Sequence, residues 1–422
     1  MHKLLFWGFL AFCSLGTFAQ DRDYAMQIVK DLSGKDMNGR GYVNDGSNKA
    51  GKYLAKEMKS IGLQAFDVDY AQKYHFDVNS FPGKMLVKVD GKKLKAGLDY
   101  VVHPRLSTQK GRYELLYLPD SITQKESIYK VVDTANLNGK MIVVPPALQK
   151  YFWSGFEGIE NAIFLFEKCT WAASHREPIT GICLLQVRQE AFPTCGKEIK
   201  IDFDSKYLQD FEAENIIGYV EGNTCPDSTI VFTAHYDHLG QMGKKCYFPG
   251  ASDNATGTAF VLSMAKYYAE HPEEARYTMI FALLSGEEVG IYGSLYNSEH
   301  PQWDLEKTRL LINMDMVGSG SEGITIVNST VFPEITAVLK RINEREKLIP
   351  KITDREESCN SDHCPYYEKG VPAFFIYTCG PESKEYHSVT DTYQKIQFTI
   401  FEVFFSLMKS FVEEVKAPVF NR

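Results

Sequence analysis

Between residues 214 and 417 the chain alternates short apolar runs with longer segments of helical period, and no other feature limits the fold as much. "STIVFTAH", "YTMIFALLSG", "TRLLINMDMVG" and "VPAFFIYT" are apolar at successive positions, so each strand must be covered on both faces. Among them, "ATGTAFVLSMAKYYAEH", "PEITAVLKRINEREKL" and "FEVFFSLMKSFVEEV" repeat apolar residues at helical spacing. Strands of this kind separated by helices predict an α/β fold, a mostly parallel doubly wound sheet flanked by helices. Upstream, two amphipathic helices are expected over Tyr24–Leu32 and Lys49–Ile61, the second stopped at Gly62. From about Gly83 to Phe203 the pattern changes to short β-rich runs such as "KMLVKV", "GRYELLYL" and "GKMIVV", spaced by turn residues. The expected organisation is a main domain of residues 20–83 and 204–422, with a β-rich inserted domain over 84–203.

The first nineteen residues read as an export signal peptide. Lys3 precedes an apolar run that is too short for a membrane span, and Thr17-Phe18-Ala19 suits cleavage after Ala19. Cys13 in "LAFC" offers a lipoprotein alternative, which Phe12 disfavours as a neighbour for that processing. No later segment is apolar enough to cross a bilayer, so the expected location is periplasmic or extracellular. A formal charge of −8 gives no basic face for nucleic acid. Of nine cysteines, eight remain without Cys13, and only Cys359 and Cys364 are close enough to propose as a local bridge. The lack of any C-x-x-C argues against a thiolate metal site or a thioredoxin-like redox motif.

Ligands of open α/β sheets gather at the carboxyl ends of the strands. There this sequence sets His235, Asp237 and His238 after one strand, and Asp253 in "PGASDNATG" before a helix. Glu287 and Glu288 follow another strand, Asp315 lies in "LINMDMVG", and Tyr386 and His387 lie in "KEYHSVTDTY". Each alone has an ordinary reading. His235 is a polar strand end, Asp253 a helix N-cap and Tyr386 a core aromatic. Asp315 fits such a reading poorly, because an unpaired carboxylate in an apolar strand is costly and a cation is its natural partner. Together, nitrogen and oxygen donors from several strand ends indicate a metal centre. "GSGSEG" precedes no P-loop lysine and reads as a turn, and no G-x-S-x-G elbow occurs.

"HYDHLG", "GASDNATG", "SGEEVGIYGS", "NMDMVG", "SDHCPYYEKGVPAFFI" and "EYHSVTDTY", in that order, resemble the zinc-dependent aminopeptidases with paired metals, relatives of bacterial leucyl aminopeptidases and glutamate carboxypeptidase. The insert, with "NLNGKMIVV", is similar to a protease-associated domain. The resemblance implies a peptide substrate, loss of its N-terminal residues and two Zn2+, with Mn2+ or Co2+ as substitutes. By position it implies that Asp253 bridges both metals, that His235 and Asp315 complete one, and that Glu288 and His387 complete the other. It makes Glu287 the general base toward a hydroxide held between the metals. Tyr386 would donate to the developing oxyanion, and Asp237 would orient the His235 imidazole. Three ligand carboxylates and one hydroxide would balance two divalent cations. In extended chain, neighbours point to opposite faces, which would let Glu288 hold a metal while Glu287 faces water.

Asp362 and His363 match a family motif without an assigned role, and His238 reads as packing or pocket lining. The alternatives are a single-zinc glutaminyl cyclase of the same fold and a carboxypeptidase of the glutamate-releasing kind. A receptor-like relative without catalysis is disfavoured, because every ligand position and the base are present.

Overall fold

The computed structural model describes residues 15–67, 69–119, 121–122, 124–151, 159–382 and 384–415. The expected signal peptide, residues 1–19, falls largely outside them. Helix α1 (Leu15–Leu32) begins earlier than the expected Tyr24, and α2 is Gly46–Ser60. Strands β1 (Gln64–Ala65) and β2 (Ala71–Ser80) follow. Next come β3 (Met85–Val89), β4 (Lys92–Leu94), β5 (Tyr100–Val102), β6 (Gln109–Tyr117) and helix α3 (Lys125–Thr134). Strands β7 (Lys140–Val144), β8 (Asn161–Phe166), β9 (Cys183–Arg188) and β10 (Glu198–Phe203) complete that stretch. The remainder holds β11 (Lys206–Val220), β12 (Cys225–His235), α4 (Thr256–Glu270), β13 (Tyr277–Leu284) and α5 (Tyr292–Glu299). It ends with β14 (Thr308–Met314), β15 (Gly323–Val327), α6 (Pro333–Glu346), β16 (Ile352–Asp354), α7 (His363–Glu368), β17 (Ala373–Cys379) and α8 (Phe401–Glu414).

A nine-stranded sheet runs β1-β11-β13-β12-β14-β17-β15-β16, with β2 also paired to β11. Its centre, β13-β12-β14-β17, is parallel, and successive residues of these strands face two separate cores. Ile230, Phe232 and Ala234 pack with α1, α4 and α8, while Val231 packs on the other side with Tyr366 of α7. This two-sided burial is what the apolar runs required. The α/β sheet flanked by helices is as expected, with antiparallel strands beside its parallel centre: β11 is antiparallel to β1, β2 and β13, and β15 to β17. The cause is connection length. Only residues 221–224 separate β11 from β12, and 315–322 separate β14 from β15. A parallel crossover needs about a dozen residues or more, so these short links reverse the chain.

Strands β3 to β10 form a second, eight-stranded sheet in the order β4-β3-β10-β6-β7-β8-β9-β5, parallel from β6 to β9. An apolar cluster around Ile128 and Ile142 lies within this stretch, and another around Val87, Ile163 and Phe203 continues into Leu239, Met242 and Phe248 beyond β12. Cys359 and Cys364 form a disulfide. Among the described residues, no helix is long and apolar enough to cross a membrane.

Candidate metal centre

The parallel register brings the candidate residues to one edge. His235 is the last residue of β12, opposite Leu284 at the end of β13, and Asn313 of β14 pairs with both Thr233 and Phe375. The turn carrying Glu287 and Glu288 follows β13, Asp315 follows β14, and the loop bearing His387 follows β17. Asp253 sits in the irregular helical turn Ala251–Ala255 that leads into α4. It is not the α4 N-cap, which is Ala255, so the bland reading of Asp253 fails. Its carboxylate is turned toward the two histidines instead.

His235 Nε2 lies 3.4 Å from Asp253 Oδ1 and 3.4 Å from Asp315 Oδ1. His387 Nε2 lies 3.2 Å from Asp253 Oδ2 and 3.1 Å from Glu288 Oε2. Donors about 2.05 Å from a tetrahedral ion stand about 3.3 Å apart, so both sets have the spacing of a metal's ligands, with Asp253 common to both. The Asp315 Oδ1 atom is buried without a hydrogen bond despite its nearness to His235. A buried carboxylate oxygen without a hydrogen bond fits the chemistry of a cation ligand.

Histidine tautomers agree with that assignment. His387 Nδ1 lies 2.7 Å from the Trp171 carbonyl and His235 Nδ1 lies 3.3 Å from the Asp237 carbonyl. Carbonyls only accept, so both Nδ1 atoms carry the proton and each Nε2 is available to a metal. The expected Asp237 carboxylate is at 3.7 Å from His235 Nδ1, an ion-pair rather than a hydrogen-bond distance. Asp237 Oδ2 accepts from Tyr42 at 3.1 Å, and its Oδ1 accepts from the Glu287 amide at 3.2 Å. It therefore ties the His235 strand end to the Glu287 turn.

Charge follows the geometry. Burial opposes the protonation of His235, but Asp315 and Glu287 outweigh it and raise the group well above the ordinary histidine value. His387 is likewise disfavoured by burial, yet Glu288 and Asp253 raise it to about 11. Without metal, two imidazolium groups thus offset part of the charge of the three ligand carboxylates. Burial opposes ionisation of Glu288 too, and the His387 charge overcomes it, holding Glu288 at about 2. Glu287 diverges from its neighbour: burial, Asp315, Glu288 and Asp362 outweigh His235 and push it well above the usual carboxylate range. Their separation does not come from strand alternation, because β13 ends at Leu284 and the pair lies in a turn closed by Gly290 N and Ile291 N on the Glu287 carbonyl.

Several supporting groups were not singled out from the sequence. Arg40, fully buried, donates to the carbonyls of Tyr236, Leu32, Pro249, Gly250 and Asp253. The Asp391 carboxylate accepts from the Ser252 and Asp253 amides. Asn254 donates to the Met314 carbonyl and accepts from Met316 N, joining the Asp253 turn to the Asp315 loop. At Gly257 a Cβ would sit 2.3 Å from both Asn254 Oδ1 and the Met314 carbonyl, so this junction requires glycine.

His238 is more than pocket lining: it is buried and donates Nδ1–H to Glu288 Oε1 at 2.6 Å. Tyr386 is no core aromatic, being 49% exposed and stacked on His387 with centroids 3.7 Å apart. Asp362 is buried, accepts from Ser294 at 2.6 Å, and is raised by burial to about 7. His363 is turned away from the donor sets and donates Nε2–H to the Ser358 carbonyl at 2.8 Å.

The model for Peptidase family M28 matches residues 215–412. The chain is 25% identical over 282 residues to "Aminopeptidase YwaD" of Bacillus subtilis (strain 168), covering 62% of this chain and 59% of that protein. It is 32% identical over 109 residues to "Probable zinc metalloprotease" of Pyrenophora tritici-repentis (strain Pt-1C-BFP), covering 25% of this chain and 22% of that one. The chain thus spans less than two thirds of either relative's length. A solved structure, "Peptidase M28 precursor" from Shewanella amazonensis SB2B, is similar in fold, with a TM-score of 0.69 and 16% identity over 95% of this chain and 98% of that one.

Proposed function

We propose that this chain is a zinc-dependent aminopeptidase of peptidase family M28, whose model matches residues 215–412, and that it binds two ions and removes N-terminal residues from peptides. The observation that carries the reading is the donor spacing of 3.1 to 3.4 Å around His235 and His387, with Asp253 shared. In this assignment His235, Asp253 and Asp315 hold one ion, and Asp253, Glu288 and His387 hold the other. Bound ions lower the pKa of water from about 15.7 to about 7 and polarise the scissile carbonyl.

The remaining steps belong to the chain's own groups. Glu287, whose buried carboxyl holds a proton more readily than an ordinary glutamate, takes the proton of the attacking water and passes it to the leaving amine. The Tyr386 hydroxyl donates to the carbonyl oxygen as charge develops there. Asp237 keeps the Glu287 turn in register with His235.

We read residues 20–83 and 204–422 as the peptidase domain and 84–203 as an insert similar to a protease-associated domain; the second sheet and the apolar cluster around Ile128 and Ile142, both confined to that stretch, support this division. The signal-like sequence of residues 1–19 and the Cys359–Cys364 disulfide support export to an oxidising compartment. The test combines metal analysis of the purified chain with hydrolysis of aminoacyl reporters, N-blocked peptides and C-terminally acidic peptides. Two zinc ions per chain and turnover of free N-termini alone are expected. One ion with cyclisation of N-terminal glutamine, or cleavage of the N-blocked acidic peptides, would overturn the reading.

A further inference from the structure

Residues 167–182, between β8 and β9, leave the second sheet and bond to two loops of the metal centre. Trp171 makes two hydrogen bonds with one ligand residue. His387 Nδ1 donates to the Trp171 carbonyl at 2.7 Å, and Trp171 N donates to the His387 carbonyl at 3.1 Å. Four residues on, His175 Nδ1 donates to the Val289 carbonyl at 2.6 Å, immediately after Glu288. The His175 ring also meets Tyr292 edge-on, with centroids 5.3 Å apart. Lys168 bonds the Lys384 carbonyl and lies 3.3 Å from Glu385, on the loop that carries His387.

The Trp171 carbonyl is itself fixed from the second sheet's side. The buried indole stacks on Phe248 at 4.8 Å and donates Nε1–H to the Val102 carbonyl of β5 at 3.0 Å. Among the described residues, no hydrogen bond from the 167–182 segment reaches the other donor set. His235 is oriented by the Asp237 carbonyl, and Asp315 Oδ2 accepts from Ser361, itself bonded by Asn313 of β14. One set is therefore held within the first sheet, and the other leans on a segment of the second.

We propose that the segment carrying Trp171 and His175 is a positioning element of the metal centre, and that it sets metal affinity at the Glu288–His387 site selectively. The proposal rests on the metallopeptidase reading. Trp171 fixes the tautomer and direction of the His387 ring, and His175 fixes the turn that presents Glu288. An acceptor that orients a ligand histidine raises its basicity as well as its geometry. The two sites consequently differ in affinity, and the Glu288–His387 ion leaves first.

The test uses the full chain, Trp171→Ala and His175→Ala, with zinc affinities measured by competition against a chromophoric chelator and Asp315→Asn marking loss at the opposite site. Trp171→Ala keeps the carbonyl that accepts from His387 but removes the indole that anchors it, and His175→Ala frees the Val289 carbonyl beside Glu288. Outright loss of a ligand's orienting partner weakens metal binding by about 10- to 100-fold, so in each variant the Glu288–His387 ion should weaken by up to that factor while the other is unchanged. Wild type that binds two ions, with both variants binding them equally well, overturns this proposal alone. Wild type that binds no zinc overturns the metallopeptidase reading and this proposal with it. Should either variant fail to fold, imidazole 15N NMR of the zinc-loaded wild type decides: a protonated His387 Nδ1 in slow exchange supports the proposal, and a metal-bound Nδ1 overturns it.

Discussion

Arg40→Lys keeps the charge at the base of the metal centre and removes its geometry. The Arg40 guanidinium spends its donors on main-chain carbonyls at 2.6 Å (Tyr236), 3.0 Å (Leu32), 2.7 Å (Pro249), 2.7 Å (Gly250) and 3.2 Å (Asp253). A lysine ammonium has three donors, so at least two of these five buried carbonyls lose their partner. Hydrogen bonds to charged groups are worth about 1.5–3 kcal/mol each, which makes the cost about 3–6 kcal/mol. An unfolding entropy of about 2.1 cal/mol/K per residue over roughly 400 residues is about 0.84 kcal/mol/K, so the melting temperature should fall by about 4–7 °C. Circular dichroism melts in chelator measure this, with exposed Arg112→Lys as a control expected to shift by no more than about 0.5 kcal/mol. An Arg40→Lys chain that melts with the wild type would refute the view that this clamp holds the Asp253 turn against β12.

Zinc affinity should rise with pH from about 6.5 toward the raised folded-state values, by about tenfold per pH unit for each proton displaced, because the metal must evict protons from His235 and His387. The same shifts make the metal-free protein most stabilised by these histidines below about pH 6.5, and that contribution is lost as pH rises through about 11 at His387. Isothermal titration and metal-free melts across this range check both signs, and a pH-independent affinity would contradict them. His238→Ala should weaken zinc at the Glu288 site by about 10-fold or more, because Glu288 Oε1 loses the donor at 2.6 Å that fixes its rotamer; chelator competition reads the change.

The strand ends of the parallel centre were legible because they depend on residues adjacent in sequence, and His235, Asp253, Glu288, Asp315 and His387 were legible as polar residues at or near those ends and through the motifs that resemble a known family. Strands buried on both faces announce themselves as apolar runs, and polar residues at their ends stand out. β11 escaped because "KYLQDFEAENIIGYV" is polar over its first half, where it pairs only with β2 at the margin of the sheet. β15 escaped because "GITIV" is short and follows a glycine-rich turn. Arg40, Asp391 and Trp171 act on partners far away in the chain, and no local pattern encodes such pairings. Arg40 had one local signal, its place between Gly39 and Gly41 in "NGRGY". A Cβ at Gly41 would lie 2.4 Å from the Gly240 Cα, which marks a close approach of two backbones. Glu287 and Glu288 do face different neighbours, but through a turn after Leu284 rather than the strand alternation expected of them.

Glu287→Gln carries the most direct test of the account, because it removes the base while leaving every assigned ligand in place. Metal content and turnover of an aminoacyl reporter, measured on the same preparation, separate the two roles. The account predicts two zinc ions per chain and near-complete loss of hydrolysis. Wild-type turnover by Glu287→Gln with its zinc retained would contradict it.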